Sequence, residues 1–387
     1  MKDKERALAH VEKIEWIKSI DGADNIELIG VLGWVCIAKK NEFKVRDLAI
    51  YIEIDSKVNE KDDRFSFLES KHYKVKTMKL GKFNVISQGL ALPITLFPEL
   101  SNKNIGSDVT KELKITYSSL DDIQRKSNGV NKDDKYKSMC SRMPNLFKKP
   151  LIRKIMKYKY GRMFMFLLFG KNKDKPKEFP KWIIKTDETR IENAPFYLQL
   201  DEEWVKTEKV DGTSCTFGVN KMKNEAFDFI VCSRNVRQAD KDQECFHESN
   251  IYWELAEKYN IKEVLTKFAI DNKYNRVVLQ GEGVGNVQGN PYKLKENDLY
   301  VFNLIIDGVR LGTMEMKKFC ELNGFKSVPI IDESYKTKNT MEEMKLEADG
   351  YSELNQNVKR EGFVYRSLDG QKSFKNVSRE YLLKHNI

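Results

Sequence analysis

Short apolar stretches separated by turn residues dominate the chain as far as residue 118. They lie at 7–11, 26–29, 34–37, 48–54, 73–79 and 87–92. Asp21-Gly-Ala-Asp24 is a turn sequence between the first two stretches, and helical periodicity is nearly absent from this region. Short strands with turn signals at intervals of about ten residues are typical of small all-β domains. The pattern therefore predicts that residues 1–118 form a small closed barrel or a sandwich.

Strands and helices mix after residue 178. Apolar stretches rich in β-branched and aromatic residues predict strands at 207–209, 216–219, 229–232, 276–280, 299–306, 362–366 and 373–377. Residues 251–259 and 314–323 have the spacing of helices. We therefore expect an α+β domain over residues 179–387, with residues 119–178 as a connector.

Positive charge is concentrated in the connector. From Asp121 to Lys177 there are 17 Lys/Arg and 5 Asp/Glu, a net charge of +12, whereas the whole chain carries +10, so the other residues sum to −2. A basic block on a nearly neutral body indicates contact with a polyanion. Residues 146–160 interleave basic and apolar residues at roughly helical spacing. Three interpretations stay open: a solvated linker, a helix on a phosphate backbone, or a helix on a membrane surface.

The cysteines and histidines indicate neither a zinc site nor a disulfide scaffold. No Cys-x-x-Cys pair occurs among the six cysteines, and the four histidines are widely scattered. The most apolar window, residues 163–169, is much shorter than the roughly 20 residues of a membrane span. The charged segment Met1–Arg6 has no apolar run behind it, which predicts no signal peptide. We expect a soluble intracellular protein, cytoplasmic or nuclear.

A lysine stands before a turn in the segment Glu208-Lys209-Val210-Asp211-Gly212-Thr213. Asp-Gly is a turn dipeptide, and backbone N–H groups at such a turn can point towards an anion. An exposed lysine before an ordinary turn would produce the same short motif. The segment therefore offers an amine beside an anion-binding turn, but Lys-x-Asp-Gly alone does not identify a site.

Five further segments follow Lys209 in order along the chain. They are Ser233-Arg234-Asn235, Leu279-Gln280-Gly281-Glu282-Gly283, Tyr300-Val301-Phe302-Asn303, Glu361-Gly362-Phe363-Val364-Tyr365-Arg366 and Lys372-Ser373-Phe374-Lys375. Each has a plain structural explanation, such as a core position for Phe302 or a solvated charge for Lys375. In this order, the series resembles the motifs of the covalent nucleotidyltransferases, which are the DNA ligases, RNA ligases and mRNA capping enzymes.

This resemblance, which covers about residues 207–384, implies a role for each motif. Lys209 would attack the α-phosphate of ATP, and Lys375 would contact that phosphate. Glu282 and Glu361 would hold a divalent metal, Mg or Mn. The other residues implied to bind the nucleotide are Glu208, Asp211, Gly212, Arg234, Phe302 as the stacking partner of the purine, and Lys372. Relatives often carry Lys-x-Lys in the last motif, whereas two residues separate the lysines here.

A second resemblance concerns the N-terminal region and residues 179–195. It rests on Ile20-Asp-Gly-Ala-Asp24, Glu42-Phe-Lys-Val-Arg-Asp47, Tyr51-Ile-Glu-Ile-Asp55, Ser87-Gln-Gly-Leu90 and Lys185-Thr-Asp-Glu-Thr-Arg190. These segments are similar to RNA ligases with an N-terminal OB domain, the type known from Deinococcus and Naegleria. In that family the OB domain helps to orient the pyrophosphate leaving group, and Arg190 is implied to contact the phosphates. Only 12 residues follow Lys375, so we expect no OB barrel there, unlike in capping enzymes and many DNA ligases.

The sequence is therefore identified as that of an ATP-dependent RNA ligase. We expect an OB-fold β-barrel over 1–118, a basic connector over 119–178 and a nucleotidyltransferase α+β domain over 179–387. The implied reaction repairs nicked duplex RNA by sealing 3′-OH and 5′-phosphate ends through a lysyl-AMP and an adenylylated RNA 5′-end. We expect a monomer without a membrane partner. The alternatives are a DNA ligase, an mRNA capping nucleotidyltransferase or a non-catalytic OB protein that binds nucleic acid, and the sequence does not distinguish ATP from GTP.

The basic connector can be tested by the salt dependence of RNA binding. A suitable variant carries serine at Lys148, Lys149, Arg153, Lys154, Lys157 and Lys159. If the connector binds the duplex backbone, the logarithm of the RNA-binding constant should fall less steeply with the logarithm of salt concentration in this variant. Each lost phosphate contact should make the slope less negative by about 0.9, the B-DNA value. Sealing should weaken, while adenylylation of the protein should not change because that step needs no RNA. An unchanged slope would favour the solvated linker.

Overall fold

The computed structural model describes residues 7–117, 177–240 and 250–385, together with isolated positions between 152 and 165. The chain forms two compact units. The first comprises residues 1–117, 176–239 and 247–387, and the second comprises residues 118–175 and 240–246. All elements named below belong to the first unit. Most of the basic connector lies outside the described residues, so the three interpretations of it stay open.

Ten strands lie in the described residues before 118. They are β1 (Ala9–Ser19), β2 (Ile26–Val31), β3 (Trp34–Lys39), β4 (Leu48–Ile52), β5 (Ser56–Lys57), β6 (Lys74–Val75), β7 (Met78–Leu80), β8 (Val85–Ser87), β9 (Leu90–Pro93) and β10 (Thr116–Tyr117). The main sheet has the order β3-β2-β1-β4-β9, a second sheet has the order β10-β5-β6, and β7 pairs with β8. This arrangement confirms the predicted all-β region.

The long strand β1 contributes to two apolar cores. Val11 packs in a core with Ile50 and Phe65, whereas Ile14 packs in another core with Trp34. Residues three apart in a strand face opposite sides of the sheet, so a single strand can serve both cores. The register of β1 against β2 shifts just after Ile14, and such a bulge adds twist to the strand.

The prediction for the region between β5 and β7 was wrong in two respects. A 3-10 helix, Asp63–Lys71, was not predicted. It buries only Phe65 and Leu68, so its apolar pattern is too short to reveal a helical period. The single strand expected at 73–79 is instead split into β6 and β7.

Thirteen strands and five helices lie in the described residues after 176. The strands are β11 (Lys177–Glu178), β12 (Thr189–Arg190), β13 (Trp204–Glu208), β14 (Thr213–Lys221), β15 (Phe227–Cys232), β16 (Val236–Arg237), β17 (Arg276–Val284), β18 (Asp298–Ile306), β19 (Val309–Arg310), β20 (Lys326–Ser327), β21 (Ile330–Tyr335), β22 (Gly362–Ser367) and β23 (Ser373–Val377). The helices are α1 (Ile251–Lys258), α2 (Ile261–Asp271), α3 (Thr313–Asn323), α4 (Met341–Ala348) and α5 (Arg379–His385). The mixture confirms the predicted α+β class, although α2, α4 and α5 were not predicted.

Two sheets organise this region. The larger has the order β11-β16-β15-β14-β17-β18-β19, with β20 paired to β18, and the smaller has the order β12-β23-β22-β13-β21. Helices α1, α2 and α3 bury apolar side chains such as Leu255, Leu265 and Met316 against the larger sheet. No helix in the described part of the chain is long and apolar enough to cross a bilayer.

The N-terminal strands contact the C-terminal region through a short 3-10 helix, Ile191–Asn193. The Gly33 N–H donates to the Glu192 carbonyl at 2.9 Å, and a Cβ at Gly33 would lie 2.7 Å from the Glu192 Cα. The Asn193 side chain accepts from Trp34 Nε1 at 2.5 Å and donates to Glu53 at 2.5 Å. These contacts fix the helix against two loops of the N-terminal sheet.

His10 gives a test of this interface, because it lies beside Glu53. Its Nδ1 is 3.0 Å from a Glu12 oxygen, and its Nε2 is 3.6 Å from a Glu53 oxygen. Burial alone would lower the pKa of His10, but the two carboxylates raise it to about 9. The protonated imidazole therefore stabilises the fold fully below its ordinary pKa of 6.5, and this contribution is lost as the pH rises to about 9.

We expect His10→Gln to lower the free energy of unfolding by up to about 3 kcal/mol at pH 6, and by much less at pH 9.5. Urea denaturation of both proteins across this pH range measures the difference. The exposed His72 provides a control as His72→Asn, since asparagine tolerates the left-handed backbone there. A difference for His10→Gln that does not depend on pH would contradict the prediction.

Candidate active site

Lys209 lies at the turn that joins β13 of the smaller sheet to β14 of the larger sheet. Its N–H donates to the Gly362 carbonyl at 3.0 Å, which extends the pairing of β13 with β22. The turn passes close to β17, because a Cβ at Gly212 would lie 2.4 Å from the Gly283 carbonyl oxygen. The Lys209 side chain is 27% exposed, so the amine sits at the junction of the two sheets with access to solvent.

Carboxylates surround the Lys209 amine. The Nζ atom is 2.9 Å from an oxygen of Glu361, the residue before β22. Burial alone would lower the pKa of Lys209, but Glu361 and Glu282 outweigh it and hold the pKa above its usual value, with a smaller effect from Asp211. The amine is therefore an ammonium group at neutral pH and must lose a proton before it can act as a nucleophile.

The same cluster carries more negative than positive charge. Burial raises the pKa of Glu282 to about 8, and the charges of Glu361 and Asp211 add to this shift. Burial likewise raises the pKa of Asp211 to about 6, with Glu361 contributing in the same direction. Crowded carboxylates of this kind suit a divalent cation with oxygen ligands. The described residues contain no group of three His, Cys, Asp or Glu placed to hold a metal.

Two tyrosines hold Asp211, and neither was predicted from the sequence. The Asp211 N–H donates to the Tyr292 hydroxyl at 2.6 Å. The Asp211 carboxylate hydrogen-bonds with Tyr381, which lies on α5. Both tyrosines lie far from Lys209 in the chain and outside the recognised motifs, so no local signal marked them.

Glu208 and Phe302 lie on the apolar side of the site. Glu208 is buried, and one of its carboxylate oxygens accepts from the Glu353 N–H at 2.8 Å. Its Oε1 has no partner among the described residues. Phe302 is half-buried and packs against a cluster that contains Val210, the residue after Lys209. The structure therefore brings a buried acceptor and an aromatic ring near the nucleophile.

Asp187 brings two of the predicted cations together. Lys375 Nζ lies 3.0 Å from an Asp187 oxygen, and Arg234 Nη2 lies 3.8 Å from the same oxygen. Arg234 is also among the charges that act on Glu282, so it lies close to the carboxylate cluster. Asp187 belongs to the segment 185–190, but no role for Asp187 was predicted.

Arg190 and Lys372 have their contacts elsewhere. Arg190 is 7% exposed and donates to Asp55 of the N-terminal region at 3.1 Å, while its Nε and Nη1 lack partners in the described structure. Lys372 forms an ion pair with Glu202 on the surface. These contacts do not include the carboxylate cluster around Lys209, so the phosphate contact expected of Arg190 and the nucleotide contact expected of Lys372 stay predictions.

Glu188 also belongs to the segment 185–190, and no role for Glu188 was predicted. It accepts from Arg366 Nη2 at 3.1 Å and from Arg310 Nη1 at 3.3 Å. Burial would raise the pKa of Glu188, but these two guanidinium groups hold it below its usual value. The Arg366 guanidinium carbon lies 5.9 Å from the centre of the Phe302 ring. Glu188 thus binds the arginine, Arg366, that lies near the Phe302 ring.

Comparison with known proteins supports the predicted resemblance. A family model described as RNA ligase matches residues 202–382, and an OB-fold domain model matches residues 8–94. The structure of Naegleria gruberi RNA ligase with PPi is 30% identical, has a TM-score of 0.76, and the match covers 98% of this chain and 99% of that one. A mutant of that enzyme with ATP and Mn is 30% identical over 98% and 99% of the two chains, with a TM-score of 0.75.

A further mutant of the Naegleria enzyme, with AMP and Mn, is 29% identical over 98% and 99% of the two chains, with a TM-score of 0.74. No curated protein sequence matches this chain. The matches confirm the predicted fold class, an N-terminal OB fold followed by a ligase-type α+β domain.

The charge balance around Lys209 can be measured directly. Glu361→Gln should lower the pKa of Lys209, because it removes the nearest negative charge while burial remains. Competitive labelling with acetic anhydride at a series of pH values, read by mass spectrometry, reports this pKa. Glu347→Gln is the matched control, since Glu347 is the partner of a different lysine, Lys206. An equal pKa of Lys209 in all three proteins would contradict the assignment.

Proposed function

The chain belongs to the RNA ligase family, and we propose that it seals nicked duplex RNA with ATP and a divalent metal, through a lysyl-AMP on Lys209. The proposal includes an OB domain over 1–118, a connector over 119–178, a catalytic domain over 179–387 and a monomeric enzyme. The observation that carries it is the 2.9 Å contact between Lys209 Nζ and Glu361 within a cluster of carboxylates. The related structures with ATP and Mn support the choice of nucleotide and of a divalent metal.

In the first step the Lys209 amine attacks the α-phosphorus of ATP. The Nζ–P bond forms, the bond from the α-phosphorus to the bridging oxygen breaks, and pyrophosphate leaves. Lys209 must first give up the proton that its carboxylate neighbours favour. Glu361 is the acceptor nearest to that proton.

Glu282 and Glu361 are the residues proposed to hold the metal. When bound, a divalent cation supplies positive charge that offsets the triphosphate and the crowded carboxylates. The pKa of Glu282, raised to about 8, supports this assignment because the free cluster has too little positive charge to keep Glu282 ionised at neutral pH. Asp211, held by Tyr292 and Tyr381, keeps the turn after Lys209 in place.

The remaining contacts are proposed for the nucleotide. Phe302 offers a ring for stacking on the purine, and the unpartnered Oε1 of the buried Glu208 can accept a hydrogen bond from an amino group. Lys375 and Arg234 offer positive charge to the phosphates. Their shared contact with Asp187 supports a common site for these two cations.

The later steps transfer AMP and then release it. The 5′-phosphate oxygen of the RNA attacks the phosphorus of the lysyl-AMP, which breaks the Nζ–P bond and forms a pyrophosphate linkage. The RNA 3′-OH then attacks the 5′-phosphorus, a phosphodiester bond forms, and AMP leaves. The match to the RNA ligase model favours this reaction over the DNA ligase and capping alternatives.

The nucleophile is tested by labelling. Lys209→Ala should remove all transfer of label from α-labelled ATP to the protein, because the chain then lacks the attacking amine, yet the variant should still bind RNA. Lys221→Ala is the control, because Lys221 lies on the surface end of β14 and pairs only with a neighbouring glutamate among its described contacts. Parallel reactions with labelled GTP, and with Mg or Mn, define the nucleotide and the metal. Full labelling of the Lys209 variant would exclude Lys209 as the nucleophile.

A further inference from the structure

Asp187 lies between two cations at the edge of the proposed active site. Its Oδ1 is 3.0 Å from Lys375 Nζ and 3.8 Å from Arg234 Nη2. The side chains of Asp187 and Arg234 are 42% and 51% exposed, whereas that of Lys375 is only 12% exposed. The Asp187 carboxylate is therefore accessible to solvent, and it pairs with Lys375, whose side chain is mostly buried.

Residues after Asp187 anchor this segment to the fold. The next residue, Glu188, is bound by the guanidinium groups of Arg310 and Arg366. After it, β12 pairs in parallel with β23, with Arg190 opposite Lys375. The backbone pairing and the Glu188 contacts thus hold the segment and place Asp187 beside the two cations.

Polyphosphate and the Asp187 carboxylate need the same cations. Both are anions with oxygen acceptors, and each is stabilised by the ammonium of Lys375 and the guanidinium of Arg234. The two anions also repel each other at such short range, so they cannot share the cations without a cost. A phosphate group that reaches Lys375 must therefore displace the Asp187 carboxylate, or bind more weakly because the two anions repel each other.

We propose that Asp187 is a positioning residue that holds Lys375 and Arg234 in the free enzyme and gives them up to the phosphates of ATP. The inference rests on the proposed function, because that function places the phosphates at these two cations. The Asp187 carboxylate keeps Lys375 extended at the site, and it lowers the affinity of the site for phosphate. It also returns to the cations as pyrophosphate leaves, which favours release of this product.

Affinity for a phosphate chain without a nucleoside tests the proposal. Asp187→Asn keeps the shape of the side chain and removes its charge. We expect it to bind inorganic tripolyphosphate about tenfold more tightly than the unchanged protein does, in calorimetry without metal or RNA, which is the effect of one screened charge pair. Unchanged or weaker binding would overturn the proposal.

Three other variants make the result specific. Asp187→Glu keeps the charge and should bind tripolyphosphate as the unchanged protein does. Asp228→Asn removes a carboxylate that pairs with Arg237 elsewhere on the larger sheet, and it should have no effect. In a Lys375→Met background, Asp187→Asn should lose most of its effect, because the competition is for that lysine. A full effect without Lys375 would also overturn the proposal.

Kinetics separates positioning from a merely structural role. In labelling of Lys209 by ATP, Asp187→Asn should lower KM but should not raise kcat, because Lys375 loses the contact that orients it. A merely structural role would instead raise KM and lower the melting temperature. If Asp187→Asn does not fold, Asp187→Ser gives the same comparison with a smaller neutral side chain. Failure of the unchanged protein to become labelled would refute the proposed function and leave the tripolyphosphate result to decide on Asp187.

Discussion

One partly buried amine among three carboxylates is the constraint on which the rest of this structure depends. Lys209 and Asp211 come from the turn between β13 and β14, Glu282 from β17, and Glu361 from the position before β22. The turn must pass close to β17 for these groups to share one space, and the absence of a side chain at Gly212 permits that approach to Gly283. The excess negative charge is left partly uncompensated, as the raised pKa of Glu282 indicates. A bound cation would therefore lower the electrostatic repulsion among these carboxylates.

Residues that follow one another in short motifs could be predicted, whereas contacts across the fold could not. Lys209, Glu282 and Glu361 were marked by the resemblance of their motifs, taken in order, to those of the covalent nucleotidyltransferases, and the structure gathers them. Tyr292 and Asp187 were missed because each acts on a partner that is distant in sequence. The same reason explains the missed helix α5, whose seven residues are too few to show a period and are fixed instead by tertiary packing.

The N-terminal barrel is linked to the strand that carries Lys375 through a chain of side-chain contacts and strand pairing. Trp34 and Glu53 hydrogen-bond with the Asn193 side chain in the helix Ile191–Asn193. Asp55 accepts a hydrogen bond from Arg190. Arg190 ends β12, which pairs with the strand that carries Lys375. A shift of the barrel would therefore be transmitted through Arg190 to the strand that carries Lys375. If Lys375 contacts the phosphates as proposed, this linkage gives the OB fold a physical route to the phosphate site.

The short helix α5 has a consequence for the order of events during synthesis. Tyr381 and Leu382 complete an apolar core of the N-terminal barrel, and Tyr381 also bonds Asp211 beside the nucleophile. The barrel is translated first, yet part of its interior is supplied by residues that are synthesised more than 260 positions after the end of β10. The core of the nascent barrel therefore stays incomplete until α5 is synthesised, and the hydrogen bond between Tyr381 and Asp211 forms no earlier. A single short helix thus completes the N-terminal core and supports the residue beside Lys209.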